Sequence, residues 1–488
     1  MLTLYNQPLG LMTDLYELTM AYGYWKSQML ENEAVFHLFF RKPPFNGGFA
    51  IAAGLENIID YLQRWRFETS DLDYLSTLKT ESGETLFEES FLSYLQEMKF
   101  CCDLDAVQEG DVVFPYEPLL RIQGPIIQAQ LLETPLLTLL NFPSLIATKA
   151  GRICLAAGED PVLEFGLRRA QGIDGAMTAT RSSYIGGCTG TSNTLAGKLL
   201  NIPVKGTHAH SWVMAFESEY SSFQTYAEAL PGNCVFLVDT YDTLQGVKNA
   251  IEVGLWLKKK GRSLIGVRLD SGDLNYLSIE SRKLLDKAGF KETKIYASNE
   301  LNETLIADLK QQGAKIAVWG VGTHLVTGYG QPALDGVYKL SAFRKTSTDP
   351  WKYKLKLSEK LAKISDPGIL QVRRFSIPEQ GYVADALYNS PDGFPSSTMI
   401  IDPFDPTRSR LVSDSLHSKD LLQPIFRKGE CLYSKPSLAA IQSYCKQELA
   451  LFDKSIKRLQ NPHVYPVGME ESYYTLKMEL IKKARQRA

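Results

Sequence analysis

Short apolar runs alternate with longer amphipathic segments between about residues 161 and 340. The runs are VLEFG, PVKGTHAHS, NCVFLVDT, SLIGVRLDSG, KIYASNE and KIAVWGVGT. Between them lie helical patterns, such as residues 241–260 and 273–289, which end in glycine or basic residues as helices do. This alternation is typical of repeated βα units, so the sequence predicts a parallel sheet or barrel in this region.

The flanking parts of the chain show other patterns. Residues 13–25, 55–65 and 126–140 predict helices, and GDVVFPYEPLLRIQGP predicts a pair of strands. After residue 340, TMIID and PIFRKGECLY predict strands that return to cover the first layer, and the chain from residue 437 on predicts charged helices. The predicted α/β architecture has four segments: a sandwich layer at 1–141, a barrel at 142–340, returning strands at 341–436 and a helical segment at 437–488.

Polar or glycine-rich residues follow each predicted strand. In a parallel barrel these strand ends meet at one mouth, where such folds carry their chemistry. We therefore expect the following residues to converge: Arg168, His210, Asp239, Asp270, Ser298, Asn299, Gly320 and Gly322. GVGT at 320–323 resembles a barrel phosphate site, and it lacks the third glycine of a dinucleotide-binding fingerprint.

Composition narrows the possible partners. The 53 basic and 55 acidic residues give a net charge of −2, so there is no general basic field for nucleic acid and an anion must be bound locally. The amino terminus lacks a basic segment followed by an apolar run, and no apolar stretch is long enough to span a membrane. Seven cysteines without a Cys-x-x-Cys pair favour a reducing compartment, so we expect a cytoplasmic protein without membrane contact.

Three motifs are candidates for the chemistry. TATRSSYIGGCTGTSNTLAGK is rich in glycine and hydroxyl residues and could bind phosphate, although it is not a Walker A loop. His208 and His210 would face one side of a strand, which leaves metal binding, nucleophilic or base chemistry, and a structural role all open. Arg268 and Asp270 would share a strand face, suited to a phosphate and a ribose or to a structural ion pair.

Taken together, a longer set of strings resembles nicotinate phosphoribosyltransferases. The strings are TDLYELTMAYGYW, FRKPPFNGGFAIAAGLE, NFPSLIATKAGRI, EFGLRRAQG, GTHAHS, VRLDSGD, ASNE and GVGT, and they extend over most of the chain. The resemblance implies an irregular, TIM-like type II phosphoribosyltransferase barrel with an α/β sandwich domain. It also implies the first step of NAD salvage from nicotinate, in which nicotinate, phosphoribosyl pyrophosphate, ATP and water give nicotinate mononucleotide, pyrophosphate, ADP and phosphate.

The resemblance implies a role for each matching residue. His210 would be transiently phosphorylated by ATP, as in a ligase, and Arg268 and Asp270 would act beside the ring and the ribose. Asp14 and Tyr16 would reach into a neighbouring subunit, which implies a homodimer with active sites at the interface. Mg²⁺ is expected, held mainly by substrate oxygens and water, and no protein ligand for it is assigned. The other implied substrate-binding residues are Phe165, which would stack on the pyridine, Arg168, which would pair with the nicotinate carboxylate, and Thr207, Ser298, Asn299, Gly320, Gly322 and Thr323.

Three alternative functions are considered beside this one. The related nicotinamide enzyme carries an acidic residue in the stretch corresponding to 190–194, which is GTSNT here, and its absence favours anionic nicotinate. Quinolinate, a dicarboxylate, would need a denser basic cluster than Arg168 and Arg169 supply. A catalytically silent NAD-metabolite-binding protein is the alternative outside enzymes, and it would have no need for a phosphorylatable histidine.

Overall fold

A computed structural model describes residues 8–487 of the chain. Residues 1–7, which begin the amino-terminal stretch considered above, lie outside the described residues. The chain divides into two compact units. The first combines the segment up to Leu145 with the segment from Ala333 on, and the second is Ile146–Pro332. The predicted four-segment division stays a prediction.

The amino-terminal part of the first unit contains short strands and helices. Its helices are α1 (Leu15–Lys26), α2 (Leu55–Leu62), α3 (Thr69–Thr77), α4 (Glu89–Glu97), α5 (Ile126–Leu131) and α6 (Glu133–Ala157), of which α6 continues into the second unit. Its strands are β1 (Glu33–Phe40), β2 (Ala50–Ile51), β3 (Asp103–Ala106), β4 (Val112–Val113) and β5 (Leu120–Pro125). The helices predicted near 13–25, 55–65 and 126–140 are confirmed in position, the last as two helices.

The second unit alternates strands and helices. Its strands are β6 (Val162–Glu164), β7 (Gly190–Thr191), β8 (Val235–Leu237), β9 (Gly266–Leu269), β10 (Lys294–Ala297) and β11 (Val318–Val321). Its helices are α7 (Gly172–Ile185), α8 (Thr194–Leu200), α9 (His210–Met214), α10 (Glu219–Ala229), α11 (Thr243–Lys259), α12 (Leu274–Lys287), α13 (Glu303–Gln311) and α14 (Thr323–Val326).

The carboxy-terminal part of the first unit is mostly strands. These are β12 (Gly336–Arg344), β13 (Lys352–Tyr353), β14 (Leu370–Ile377), β15 (Gly381–Asn389), β16 (Ser397–Ile401), β17 (Ser409–Ser413), β18 (His417–Asp420), β19 (Gln423–Arg427), β20 (Glu430–Cys431) and β21 (Val467–Glu470). The helices are α15 (Leu438–Ala450) and α16 (Glu471–Arg487). Short 3₁₀ turns lie at Pro44–Asn46, Leu167–Arg169, Leu361–Lys363 and Ser390–Asp392.

Two large sheets organise the first unit. One is antiparallel, in the order β13-β12-β1-β5-β3-β19-β20, and the other is mixed, in the order β17-β16-β21-β15-β14-β18. β1 has the sequence EAVFHLFF and is buried along nearly its whole length, which explains its central place in the antiparallel sheet. β19, from PIFRKGECLY, pairs with β3 and so returns to the amino-terminal layer as predicted, and β12 pairs with β1. TMIID forms β16 instead in the mixed sheet, where it pairs with β17 and β21.

A six-stranded parallel sheet organises the second unit, in the order β7-β6-β11-β10-β9-β8, with β7 and β8 at its edges. Its strands are short apolar runs, as parallel strands covered by helices must be. Helix α11 shows why the neighbouring segments are helical. It buries Val247, Ala250, Val253 and Leu257 at helical spacing, and the Asp242 carboxylate caps its first turn by accepting from the Gln245 N–H at 2.8 Å.

One predicted strand and one predicted strand pairing are wrong. PVKGTHAHS forms a single bridge between Val204 and Thr191, because residues 203–206 are exposed and have no apolar side to bury. The strands of GDVVFPYEPLLRIQGP do not pair with each other. β4 pairs with β2, while β5 pairs with β1 and β3, because Tyr116, between two prolines at a φ of 69°, redirects the chain.

The carboxy-terminal region differs from its prediction in one respect. The segment from residue 437 on is helical in α15 and α16, but the short strand β21 lies between them and joins the mixed sheet. Among the described helices, none combines the length and the apolar composition required to cross a bilayer.

Candidate active site

Several predicted site residues of the second unit lie at the carboxyl ends of its parallel strands, whereas Thr207 and His210 lie in and just after irregular chain. Phe165 follows β6, Asp270 follows β9, Ser298 and Asn299 follow β10, and Gly322 follows β11. The ends of parallel strands share one edge of the sheet, and direct contacts join several of the predicted site residues in pairs. The contacting pairs are His210 with Asp270, Asp270 with Ser298, Arg268 with Thr207, and Phe165 with Gly320.

His210 is the first residue of α9 and has both ring nitrogens near polar groups. Nδ1 lies 3.1 Å from the Thr240 hydroxyl. Nε2 lies 3.8 Å from Asp270 Oδ2 and 3.9 Å from Asp239 Oδ1. The side chain is 40% exposed, so Nε2 faces two carboxylates and remains accessible to a ligand.

Asp239 is the most deeply buried carboxylate beside this histidine, with only 1% of its side chain exposed. Its Oδ2 accepts from the Asp270 N–H at 2.8 Å and from the Ser271 hydroxyl at 2.7 Å. Its Oδ1 has no hydrogen-bond partner within residues 8–487 and faces His210 Nε2. We expected Asp239 at the mouth but did not assign it to the site, because its strand-end position gives no measure of its burial.

Arg268 and Asp270 lie side by side, as predicted for RLDSGD. The Arg268 guanidinium donates to the Thr207 hydroxyl at 2.5 Å and lies 3.8 Å from Asp270 Oδ1, which also accepts from the Ser298 hydroxyl. Burial lowers the pKa of Arg268 from its ordinary value, and the positive charge of Arg168 acts in the same direction. The site therefore holds a desolvated cation that an anionic substrate would stabilise.

Phe165 packs directly on two glycines of β11 and the loop that follows it. A Cβ added to Gly320 would lie 2.7 Å from Phe165 Cδ2, and one added to Gly322 would lie 3.2 Å from the Phe165 carbonyl oxygen. A side chain at Gly320 would displace the ring, and one at Gly322 would crowd the Phe165 backbone. Arg168 lies in the exposed 3₁₀ turn three residues after Phe165, where its guanidinium is accessible to a bound carboxylate.

The loop after β10 holds an unusual backbone. Asn299 has a φ of 100° and Glu300 a φ of 20°, values that cost non-glycine residues roughly 1–3 kcal/mol and occur most often at functional sites. The Glu300 carboxylate accepts from the Thr323 hydroxyl at 3.3 Å, which joins this loop to GVGT. Sequence reasoning selected Asn299 and Thr323 but missed Glu300 and the neighbouring His324.

His208 does not share the environment of His210. It is 7% exposed and packs against Phe223, Tyr226 and Phe236. Its Nε2 accepts from the Leu237 N–H at 3.3 Å, and burial lowers its pKa to about 4. Because His208 Nε2 accepts from the Leu237 N–H, it is not free to share a metal with His210. The hypothesis of a structural role fits His208.

Asp14 and Tyr16 lie at the start of α1, in the first unit. Asp14 Oδ2 accepts from the Thr134 hydroxyl at 2.7 Å, and Tyr16 is 48% exposed. Partial burial and the Glu17 carboxylate raise the pKa of Tyr16, so its phenol stays protonated at neutral pH. Neither residue belongs to the unit that carries the strand ends.

The fold is that of type II phosphoribosyltransferases. The crystal structure of human nicotinic acid phosphoribosyltransferase superposes with a TM-score of 0.83 at 31% identity, over 96% of this chain and 99% of that one. The nicotinate-nucleotide pyrophosphorylase of Pyrococcus furiosus shares the fold, with a TM-score of 0.68 at 22% identity over 91% of this chain and 96% of that one. The predicted fold class is confirmed.

Sequence comparison identifies the family. Models of the nicotinate phosphoribosyltransferase (NAPRTase) N-terminal domain, family and C-terminal domain match residues 11–141, 161–349 and 371–477. The nicotinate phosphoribosyltransferase of Bacillus subtilis is 43% identical over 99% of this chain and 97% of its own length, and that of Dictyostelium discoideum is 38% identical over 95% and 87%. The chain belongs to the nicotinate phosphoribosyltransferase family.

Proposed function

We propose that the chain transfers a phosphoribosyl group from phosphoribosyl pyrophosphate to the ring nitrogen of nicotinate, which yields nicotinate mononucleotide and pyrophosphate. Family membership at 43% identity over nearly the full length supports the substrates. The observation that carries the chemistry is the convergence of His210, Arg268 and Asp270 at one strand edge. A silent binding protein would have no need for a half-exposed histidine between two carboxylates.

Each part of the substrates finds a complementary group. The Phe165 ring offers a stacking surface for the pyridine, and the Arg168 guanidinium matches a carboxylate in bidentate geometry. The Asp270 carboxylate can accept from ribose hydroxyls, and the glycine-rich Gly320–Thr323 loop lies at a strand end, where barrel folds bind phosphate. Nicotinate is favoured over nicotinamide because GTSNT at 190–194 supplies no carboxylate to repel an anion.

ATP coupling through His210 forms the second part of the proposal. With its proton on Nδ1, donated to the Thr240 hydroxyl, the imidazole has a lone pair on Nε2. Nε2 would attack the terminal phosphorus of ATP, forming an N–P bond while the bond to the ADP oxygen breaks. Water would later cleave the N–P bond and release phosphate. Thr240 would orient the ring through Nδ1, and Asp239 and Asp270 would stabilise the positive charge that forms on it.

Magnesium is included as an expected cofactor. Asp239 Oδ1, buried without a hydrogen-bond partner in the described chain, and Asp270 Oδ2 are hard oxygen donors that fit Mg²⁺. They would hold an ion that takes most of its ligands from substrate oxygens and water. When bound, it would neutralise charge on the departing pyrophosphate. We further propose a cytoplasmic homodimer in which Asp14 and Tyr16 complete the partner's site.

The test is nicotinate mononucleotide formation from nicotinate, phosphoribosyl pyrophosphate and Mg²⁺, with and without ATP. Nicotinamide and quinolinate serve as alternative substrates. His210→Ala is compared with His463→Ala, a matched change at an exposed histidine of the first unit. Labelled terminal phosphate of ATP should remain on the native protein and on the His463 variant after denaturation, and should be absent from His210→Ala.

The expected product comes from nicotinate alone and increases with ATP in every form except His210→Ala. Product from nicotinamide or quinolinate instead would assign the corresponding sister activity. Absence of any product, with nicotinate still bound, would favour the silent binding protein.

A further inference from the structure

A cluster of polar side chains beside the GVGT loop joins Thr323 to residues that have no part in the reaction described above. It consists of His324, Glu300, Asn302, Thr323 and Tyr329, and we call it the His324 cluster. It joins the loop after β10 to the loop after β11, at the edge of the sheet where the site residues converge. The hydrogen bonds within the cluster determine which nitrogen of His324 carries the proton.

Asn302 fixes the protonation pattern of the histidine ring. Its side-chain oxygen caps α13 by accepting from the Leu305 N–H at 2.9 Å, so the amide nitrogen must be the atom facing His324 Nδ1, at 3.3 Å. An amide nitrogen is a donor, so Nδ1 accepts and the ring proton lies on Nε2. Nε2 then donates to Glu300 Oε2 at 3.2 Å.

The ring is held firmly in this orientation. It stacks on Tyr329 with 4.2 Å between ring centroids and 22° between ring planes, and only 15% of its side chain is exposed. The Tyr329 carbonyl accepts from Lys149 Nζ at 3.1 Å, and Lys149 is itself buried and paired with Glu303 at 2.8 Å, next to Asn302. The Tyr329 ring is 60% exposed, but its backbone is anchored to the buried Lys149. The stacking and the Asn302 contact together orient the His324 Nε2–H as a donor.

Glu300 is far more open to solvent than His324. Its side chain is 58% exposed, and its two oxygens accept from the Thr323 hydroxyl at 3.3 Å and from His324 Nε2 at 3.2 Å. A carboxylate that bridges two fixed donors occupies the place that a phosphate oxygen could take, because both are anionic oxygen acceptors. These two donors belong to residues at the end of the GVGT loop.

We propose that His324 Nε2 and Thr323 Oγ1 form a donor pair for a substrate phosphate, and that the Glu300 carboxylate occupies this pair until the phosphate displaces it. The proposal rests on the proposed function, since it adds a ligand to that reaction's phosphate site. His324 thereby becomes a substrate-binding residue, and Glu300 becomes a competing anion that weakens phosphate affinity. The phosphate could be the 5-phosphate of phosphoribosyl pyrophosphate or the terminal phosphate of ATP.

Substitutions of His324 and Glu300 should change the affinity for phosphate in opposite directions. Removal of the donor in His324→Leu should weaken phosphate binding about tenfold, the value of a hydrogen bond to a charged group. Removal of the competing charge in Glu300→Gln should tighten binding roughly threefold. His324→Gln, whose amide can replace the Nε2–H, should recover part of the loss. Glu292→Gln, an exposed position in the same unit, is the matched control for loss of one negative charge.

Calorimetric titration of the full chain with ribose 5-phosphate, and separately with ATP, measures these affinities, and thermal unfolding checks that each variant is folded. Opposite shifts with ribose 5-phosphate assign the donors to the phosphoribosyl substrate, and opposite shifts with ATP assign them to the nucleotide. If Glu300→Gln weakens binding as His324→Leu does, or if neither probe responds, the donor-pair proposal is wrong. These titrations measure binding and need no turnover. Their result is therefore independent of whether the chain catalyses the nicotinate reaction, and the two proposals can fail separately.

Discussion

Two histidines of one motif, GTHAHS, have opposite environments. His208 is buried among aromatic rings, while His210 begins a helix with 40% of its side chain exposed. The difference arises because residues 207–209 run as irregular chain, so the alternation that would put both rings on one side of a strand is absent. The chemistry proposed for His210 would therefore take place beside a histidine that is buried in the fold.

The burial of His208 predicts a specific dependence of stability on pH. Its folded pKa of about 4 is lower than the ordinary value near 6.5, so between these values the unfolded chain takes up a proton that the folded chain refuses. The stabilising effect is complete above about pH 6.5 and is lost as the pH falls toward 4, with a total of about 3 kcal/mol. The free energy of unfolding in urea, measured from pH 7 to pH 5, should fall accordingly.

His208→Gln removes the titrating group and should flatten this pH dependence, although it should also lower stability at pH 7 by disturbing the bond to the Leu237 N–H. His463→Gln, at an exposed position, should keep the native slope. An unchanged slope in His208→Gln would show that other groups cause the loss of stability in acid.

At the scale of the elements, strand β11 positions the predicted pyridine platform. Gly320→Ala would place a Cβ 2.7 Å from the Phe165 ring, and the ring must move because the backbone on both sides is buried. We expect the KM for nicotinate to rise about tenfold, corresponding to roughly 1.4 kcal/mol of binding, while the KM for phosphoribosyl pyrophosphate changes less. Steady-state kinetics with each substrate varied in turn measures the split.

Gly232→Ala is the matched control, since a Cβ there would meet no atom within 4 Å. Equal effects of Gly320→Ala on both substrates would mean that the glycine shapes the phosphate loop and that Phe165 is not the pyridine platform.

Elements with strong local signals were predictable from the sequence, and those fixed by tertiary pairing were not. Helices α11 and α12 have apolar periodicity and the aspartate caps Asp242 and Asp273, so their bounds followed within a few residues. The partner of β4 depends on a turn near Tyr116, and no local pattern in GDVVFPYEPLLRIQGP specifies it. For the same reason the sequence could not distinguish the false strand at GTHAHS from the true strands, because the burial of each segment cannot be read from it.

Some features of the candidate site could likewise be predicted from the sequence, and others could not. Strand-end position sufficed to bring Asp270, Ser298 and Arg268 together, since the topology of a parallel sheet determines which ends meet. It could not show that Asp239 is buried with an oxygen facing His210, or that Glu300 holds Thr323 and His324. These features depend on side-chain direction, which a single sequence does not contain. The roles of the site residues stay predictions until the variants are measured.

At the scale of the whole molecule, the two units carry different parts of the predicted site. His210 and the strand-end residues belong to the second unit, whereas Asp14 and Tyr16 belong to the first, where Tyr16 presents a protonated phenol that is 48% exposed. An exposed aromatic hydroxyl at a helix start is suited to an interface, since it combines apolar area with a hydrogen-bond donor. In a homodimer with shared sites, Tyr16 would contribute to the active site of the partner subunit, a function that it could not have in a monomer.

Subunit mixing tests that arrangement. Homodimers of Tyr16→Ala and of His210→Ala should each lack ATP-stimulated activity, because every site would miss one residue. After exchange of subunits at equal amounts, half of the dimers would be mixed, and each mixed dimer would have one complete site, so about a quarter of the native activity should return. A mixture of Tyr16→Ala with the Tyr16→Ala, His210→Ala double variant can form no complete site and is the control. If the first mixture stays as inactive as this control while exchange is verified by mass, each site is built within one subunit, and Tyr16 acts on His210 of its own chain or not at all.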